Sequence, residues 1–400
     1  MQPELLFVSP RFLFPLDEGG KIRTAGILRA LRGGAFRITL ASPAPPNAVR
    51  FTAETESVCD RFVSWPEQHP TPFRRALAVA GRLPASAASD CSQPGRRIVA
   101  AEAARGPAVL VADFPHSAVL LPRSLPAASI MFTHNVEAEI LERHAALATG
   151  WRGAVWRREA AKMSRFEGET LRRFASVIAV SERDAVALAA RYDLAHVPRI
   201  DTGVDLAYYR FQSPRADATT VVFSGAMDSR SNIDGIEFLL REVWPLVAAR
   251  MQSARMHVVG RNPPAALVAE ARYRGYAWHF TGTVADIRPH LGEGDVAAIP
   301  LRVGSGTRLK AFEAMATGLP VVATTLGVEG LGLAPGTDYV AADSAADFAS
   351  ALITLLQDYP RRQSLATAGR TLLEERYGWD RIGRQFEAIC TAALSRASRG

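Results

Sequence analysis

Lysine is nearly absent from this chain. Of 47 Lys and Arg in 400 residues, only Lys21, Lys162 and Lys310 are Lys. An Arg-favouring codon usage accounts for the scarcity, and it makes each surviving Lys worth locating. Cysteine is scarce too. Cys59, Cys91 and Cys390 are odd in number, far apart and without a C-x-x-C pair. That excludes a disulfide framework and a cysteine zinc site, and fits a reducing, cytoplasmic compartment. No run of 18 apolar residues exists, since the best stretch, 108–122, is cut by Asp113 and His116. No segment is therefore expected to span a membrane, although the chain can still lie on one. The N-terminus lacks a basic region followed by an apolar core, so no signal peptide is expected. No His-Glu-x-x-His or other metal spacing appears, no Gly-x-Ser-x-Gly elbow (position 303 is Val), and no Walker loop.

What is present is ordinary globular material, with 48% apolar and 22% charged residues. The net charge of +7 is uneven: residues 1–200 hold 26 basic and 19 acidic residues, and residues 201–400 hold 21 of each. Short apolar runs alternate with helical patterns. Strands are expected at Leu5–Val8, Ile38–Ala41, Val109–Ala112, Ser129–Phe132 and Val177–Val180, then at Thr220–Phe223, Met256–Val259, Trp278–Thr281, Val296–Ile299 and Val321–Ala323. Several are flat apolar runs, as in parallel sheets buried on both faces. Helices are expected at Gly20–Leu31, Ala138–Leu147, Ile233–Arg250, Arg308–Thr317 and Ala345–Leu356. The alternation reads as an α/β doubly wound architecture. Ten strands are too many for one sheet of this kind, so two five-strand, Rossmann-like domains are expected, with ligand in a cleft between them. The boundary falls near Val197–Phe211, giving 1–203 and 204–376, with 377–400 returning to the first domain.

The densest motif runs from Pro300 to Pro320. A strand ends at Pro300, glycines follow at Gly304 and Gly306 around Ser305, and a helix opens near Thr307 and Arg308. A helix N-terminus carries about half a positive charge and free N–H groups, which suits a phosphate. Lys310 and Glu313 share one helix face. They suit a phosphate and sugar hydroxyls, or equally an ordinary surface ion pair. Weaker features stand at other strand exits: Gly19-Gly20, Thr133-His134-Asn135-Val136-Glu137, Val258-Val-Gly-Arg261 and Phe280-Thr-Gly-Thr-Val-Ala-Asp286. His134 taken alone is better explained as a helix-capping or a buried, hydrogen-bonded histidine.

These residues together resemble family 4 of the retaining glycosyltransferases, of the kind found in bacterial exopolysaccharide and cell-envelope glycan synthesis. The most specific part is Gly304-x-Gly-x-Arg-x-Lys-x-x-Glu-Ala-Met-Ala-x-Gly-x-Pro-Val-Val322. Supporting matches are Gly19-Gly20, His134 to Glu137, Thr202-Gly-Val-Asp205, Gly225 with Asn232, Val259-Gly-Arg261 and Tyr377-Gly-Trp379. The resemblance implies the GT-B fold, two Rossmann-like domains facing across a cleft, with the last helix crossing back to the N-terminal domain. It implies a nucleotide-sugar donor, UDP- or GDP-linked, and since no carboxylate pair is placed for a metal, no metal or other cofactor is expected. By it Glu313 holds the donor ribose, Lys310 serves the leaving diphosphate, and His134 lies near the donor sugar. Gly19, Gly20, Gly225, Arg261, Arg302, Gly304, Ser305, Gly306, Thr307 and Arg308 would line the donor. The sequence departs from the family where Ser305 replaces a Glu and where Ala226 and Ser231 replace a basic phosphate clamp.

In that fold the first domain takes the acceptor, a glycan or a glycolipid. Its basic excess includes Arg74, Arg75 and Arg82, then Trp151 and Arg152, mixed with apolar residues at helical spacing. A peripheral contact with an anionic membrane is one reading, and a solvated helix face is the other. No nucleic-acid module is evident. Three rivals remain at this stage: a nicotinamide oxidoreductase, disfavoured by Leu309 where a third small residue is needed, a GT-B nucleotide-sugar epimerase, and a non-catalytic binding subunit.

Overall fold

The computed structural model describes residues 2–68, 71, 78–303 and 308–399. The chain forms two compact units, Met1–Asp201 with Trp379–Gly400, and Thr202–Gly378.

In the first unit, six strands lie in one parallel sheet: β1 Glu4–Val8, β2 Arg37–Ala44, β3 Arg61–Pro66, β4 Val109–Asp113, β5 Ser129–Phe132 and β6 Ser176–Ile178. Their order is β3-β2-β1-β4-β5-β6. Successive side chains of β1 enter opposite faces. Leu5 and Phe7 join a core with Ile27, Leu28 and Phe386, while Leu6 and Val8 join another with Val99, Leu171 and Leu188. The flat apolar runs are thus strands covered on both sides. The last helix, Trp379–Ala397, supplies Ile382, Phe386 and Cys390 to the first of these cores.

The second unit repeats the plan with β7 Thr220–Ser224, β8 Arg255–Val259, β9 Trp278–Phe280, β10 Val296–Ile299, β11 Val321–Ala323 and β12 Val340–Ala341. The order is β12-β11-β10-β7-β8-β9, again parallel among the described residues. Among the described residues, each sheet has six strands instead of the expected five. The added ones, β3 and β12, are edge strands. β3 mixes polar and apolar residues and only Trp65 in it is buried, and β12 is two residues long. Neither carries the flat apolar signature of a central strand.

The helix expected over Ile233–Arg250 is a helix at Arg230–Phe238, a π turn at Leu239–Val243, and a second helix at Trp244–Arg250. Pro245 explains the change. It has no N–H to donate and its ring crowds the carbonyl four residues back, so the turn before it widens. In each sheet the strand order reverses between two central strands, β1 and β4 in one and β7 and β10 in the other. The crevice outside the carboxyl ends of such strands is where open α/β sheets bind ligands.

Candidate functional site

In the first unit, β1, β4 and β5 deliver a buried polar cluster to that position. Asp113, the last residue of β4, accepts hydrogen bonds from Ser9 Oγ (3.0 Å) and from Thr24 Oγ1 (3.1 Å). His134 follows β5, and its Nε2 lies 2.7 Å from Asp113 Oδ1. Arg23 Nη1, on the helix Gly19–Leu31, lies 2.9 Å from His134 Nδ1. A guanidinium only donates, so Nδ1 accepts and Nε2 carries the proton toward Asp113. Burial pushes the His134 pKa down, against the pull of Asp113, and keeps the ring neutral. Its face stacks on Phe114 at 3.8 Å and 11°.

Phe114 holds φ +61° and ψ 146°, a conformation that residues with a Cβ rarely adopt. Its ring also fixes the identity of Gly20, where a Cβ would stand 2.6 Å from Phe114 Cζ. Gly19 and Gly20 open the helix Gly19–Leu31, and Lys21 pairs with Asp17 at 2.9 Å. Both ring nitrogens of His134 are engaged by protein, so in this arrangement neither is available to a sugar hydroxyl.

In the second unit, the exits of β7 and β8 are zipped together. Gly225 N donates to Val259 O and Met227 N to Arg261 O, both at 2.9 Å. A Cβ on Gly260 would lie 2.0 Å from Gly225 O, and one on Gly225 would lie 2.8 Å from Asn232 Nδ2. Asn232 Nδ2 donates to Ala226 O (2.8 Å), which leaves its Oδ1 to accept from Lys310 Nζ, also at 2.8 Å. Lys310 sits in the first turn of the helix Leu309–Thr317, with Nζ 4.8 Å from the centre of the Phe223 ring. Burial pushes its pKa down to about 8, with Glu313 opposing and Arg308 adding to the shift. Glu313 is pushed up by burial, while a hydrogen bond from Tyr209 and the charge of Lys310 pull it back. A partly dehydrated ammonium and a carboxyl therefore stand together behind the carboxyl ends of β7 and β10.

Two arginines expected at the donor are committed elsewhere. Arg302 Nε and Nη2 grip Asp234 at 3.1 and 3.0 Å, and Nη1 reaches Glu242 at 3.2 Å. Its guanidinium lies 4.6 Å over the Phe238 ring. Two carboxylates compensate that charge. Arg261 Nε bonds Asp228 at 2.6 Å on the surface. Arg308 is buried, caps the helix Leu309–Thr317 and donates from Nε to Leu326 O at 3.1 Å. Gly304, Ser305, Gly306 and Thr307 lie outside the described residues, as do Arg74 and Arg75.

On the basic side, Trp151 is 74% exposed with Arg152 5.6 Å over its ring, and Arg82 is exposed. Trp151 and Arg152 stand in the first turn of the helix Gly150–Leu171, and Gly81 and Leu83, on either side of Arg82, accept from Lys162 of that helix. Lys162 proves structural. Its Nζ donates to the carbonyls of Val79 and Leu83 at 3.0 Å and pairs with Glu159. Asp113, Arg23, Phe114 and Tyr209 went unrecognised in the sequence. Only Asp113 left a signal, as the charge that ends an apolar strand. Among the described residues no helix is long and apolar enough to cross a membrane.

Residues 218–358 match the family described as glycosyl transferases group 1. The chain is 26% identical over 238 residues, 55% of its length, to a GDP-mannose-dependent monoacylated alpha-(1-6)-phosphatidylinositol monomannoside mannosyltransferase of Corynebacterium glutamicum. It is 36% identical over 103 residues, 25% of its length, to a D-inositol 3-phosphate glycosyltransferase of Corynebacterium aurimucosum. It spans 59% and 24% of the lengths of these two curated relatives. Among solved structures, Anabaena HepE in complex with UDP and glucose matches at a TM-score of 0.68 and 16% identity, covering 98% of this chain and 100% of that one. The chain therefore has the GT-B fold, and its residues 218–358 form a glycosyl transferases group 1 domain.

Proposed function

We propose that the chain is a retaining glycosyltransferase of family 4 that moves a sugar from a UDP- or GDP-linked donor to a glycan or lipid-linked glycan acceptor. The observation that carries this reading is Lys310. It is a cation held by Asn232 against an aromatic ring, at the opening turn of a helix, inside the group 1 domain. A relative that uses GDP-mannose and a structural neighbour that holds UDP support the donor class.

The chemistry follows from charge. Breaking the bond between the sugar and the diphosphate builds negative charge on the departing oxygens. A preorganised cation and helix N–H groups stabilise that charge without reorganising. With retention, the leaving diphosphate itself can take the acceptor proton, so no dedicated nucleophile is required. Glu313, braced by Tyr209, would hold the donor ribose hydroxyls. By the family resemblance, Gly19, Gly20 and Gly225 would line the donor. His134 would act by placing its ring edge, locked by Asp113, Arg23 and Phe114. Transfer needs no metal in this scheme, and the three free cysteines suit a cytoplasmic setting. Exposed Trp151 beside Arg152, with Arg82, favours a peripheral site on an anionic membrane for a lipid-linked acceptor.

A thermal-shift panel of UDP, GDP, ADP and dTDP tests the reading. A rise in Tm with UDP or GDP supports it. No response to any nucleoside diphosphate overturns it.

A further inference from the structure

Away from Lys310, the second unit gathers three histidines and a carboxylate that the proposed transfer does not use. His257 on β8 and His279 on β9 are register partners, with their rings 5.0 Å apart. His290, on the short helix Arg288–Gly292, brings its ring to 5.3 Å from that of His257, nearly perpendicular at 83°. Glu293 follows that helix and sets Oε2 3.4 Å from His257 Nδ1. One ligand atom from each of His257, His290 and Glu293 lies within 4.8 Å of the other two.

The cluster is incompletely satisfied. His257 is 6% exposed, and its Nε2 is buried without a hydrogen-bond partner. His290 Nδ1 is in the same state. Buried polar atoms in native proteins are nearly always paired, and each one that is not needs a reason. An imidazole gives a metal one nitrogen, so His257 serves either through Nε2 or through the Nδ1 that faces Glu293, and His290 Nδ1 is a second unpaired donor in the same cluster; together they point to an occupant.

We propose that His257, His290 and Glu293 form a zinc site, with water or His279 as the fourth ligand. Two imidazoles and a carboxylate suit zinc, whereas magnesium and calcium take oxygen ligands. Tetrahedral zinc with bonds of about 2.0–2.1 Å needs donors roughly 3.3 Å apart. The side chains must therefore close by up to about 1.5 Å, and Glu293, with 62% of its side chain exposed, has room to move. The site is distinct from the donor position. His257 lies in the middle of β8 and Glu293 precedes β10, whereas Asn232 and Lys310 follow the carboxyl ends of β7 and β10. Its role is to pin the helix Arg288–Gly292 to the sheet. The sequence held a trace of it, because His290 and Glu293 are three apart, but β8 supplies the remaining ligand from far along the chain.

The test uses the full chain without a histidine tag, stripped with a chelator and titrated with zinc chloride in a calorimeter. One zinc per chain is expected, with a rise in Tm and no such rise with magnesium. Glu293→Gln, an exposed change that leaves the core intact, is expected to weaken zinc binding about tenfold or more, and His290→Asn further. Nucleoside diphosphate binding is expected to stay unchanged in both variants, which separates this site from the donor site. No zinc uptake by the wild type, or equal affinity in wild type and Glu293→Gln, overturns the proposal.

Discussion

At Lys310 two demands oppose each other. Burial disfavours the ammonium, yet a departing diphosphate needs it charged. The balance leaves the group titrating at about 8, below its unfolded value of 10.5. Protonated Lys310 is present below that pH and is lost as pH rises through it. Turnover is expected to fall above about pH 8, and a pH–rate profile checks this. The fold responds with the opposite sign. Between about 8 and 10.5 the unfolded chain binds more protons than the native one at this position, so its contribution to stability rises with pH. Asn232→Ala removes the acceptor that orients Nζ, and is expected to lower kcat by about 10–100-fold with a smaller change in KM. The sequence motif already exposed Lys310 and Glu313, because helical spacing fixes which residues share a face. It could not expose the Arg23–His134–Asp113 chain, whose members come from three elements, nor Phe114, whose importance lies in a backbone angle.

At the scale of elements, close packing of two helices decides the first unit. A Cβ on Gly26 would stand 2.3 Å from the Trp379 ring, and one on Gly383 would stand 2.4 Å from Ala30 Cβ. Gly383→Val is therefore expected to destabilise the fold by about 1–3 kcal/mol through overpacking, measured by urea unfolding. A second pair sits where the helix Glu137–Leu147 begins. The Glu167 carboxylate accepts from Glu137 N at 2.9 Å and Ala138 N at 3.2 Å, and from the Tyr192 hydroxyl at 2.7 Å. Burial, then the charge of Glu167, pushes Glu137 up to about 7 from 4.5. Between those values the native chain binds the extra proton, so stability is lost as pH rises from about 4.5 to 7. Glu137→Gln is expected to raise Tm at pH 8 and to flatten that slope, as melts at pH 5 and pH 8 would show. Central strands were legible because flat apolar runs reflect two buried faces. The edge strands β3 and β12 were not, because their solvent-facing residues break that pattern. The π turn before Pro245 was likewise hidden inside an apparently continuous helical period.

For the whole molecule, the proposed acceptor and membrane face would use the basic excess of residues 1–200, with Trp151 and Arg152 exposed. Binding to vesicles containing acidic lipid is expected, and to be lost with Trp151→Ala together with Arg152→Ala, by co-sedimentation. Equal binding to neutral vesicles would remove electrostatics from that contact. Chelation by EDTA is expected to lower Tm through the histidine cluster while leaving initial transfer rates unchanged at temperatures well below melting. The most direct test of the central claim is release of nucleoside diphosphate from a panel of UDP- and GDP-sugars, by wild type and by Lys310→Ala. Release is expected from at least one donor, slowed about 100-fold or more in the variant, with the Kd for the nucleoside diphosphate changed less than about tenfold. Release from no donor, or equal rates in the two proteins, would contradict it.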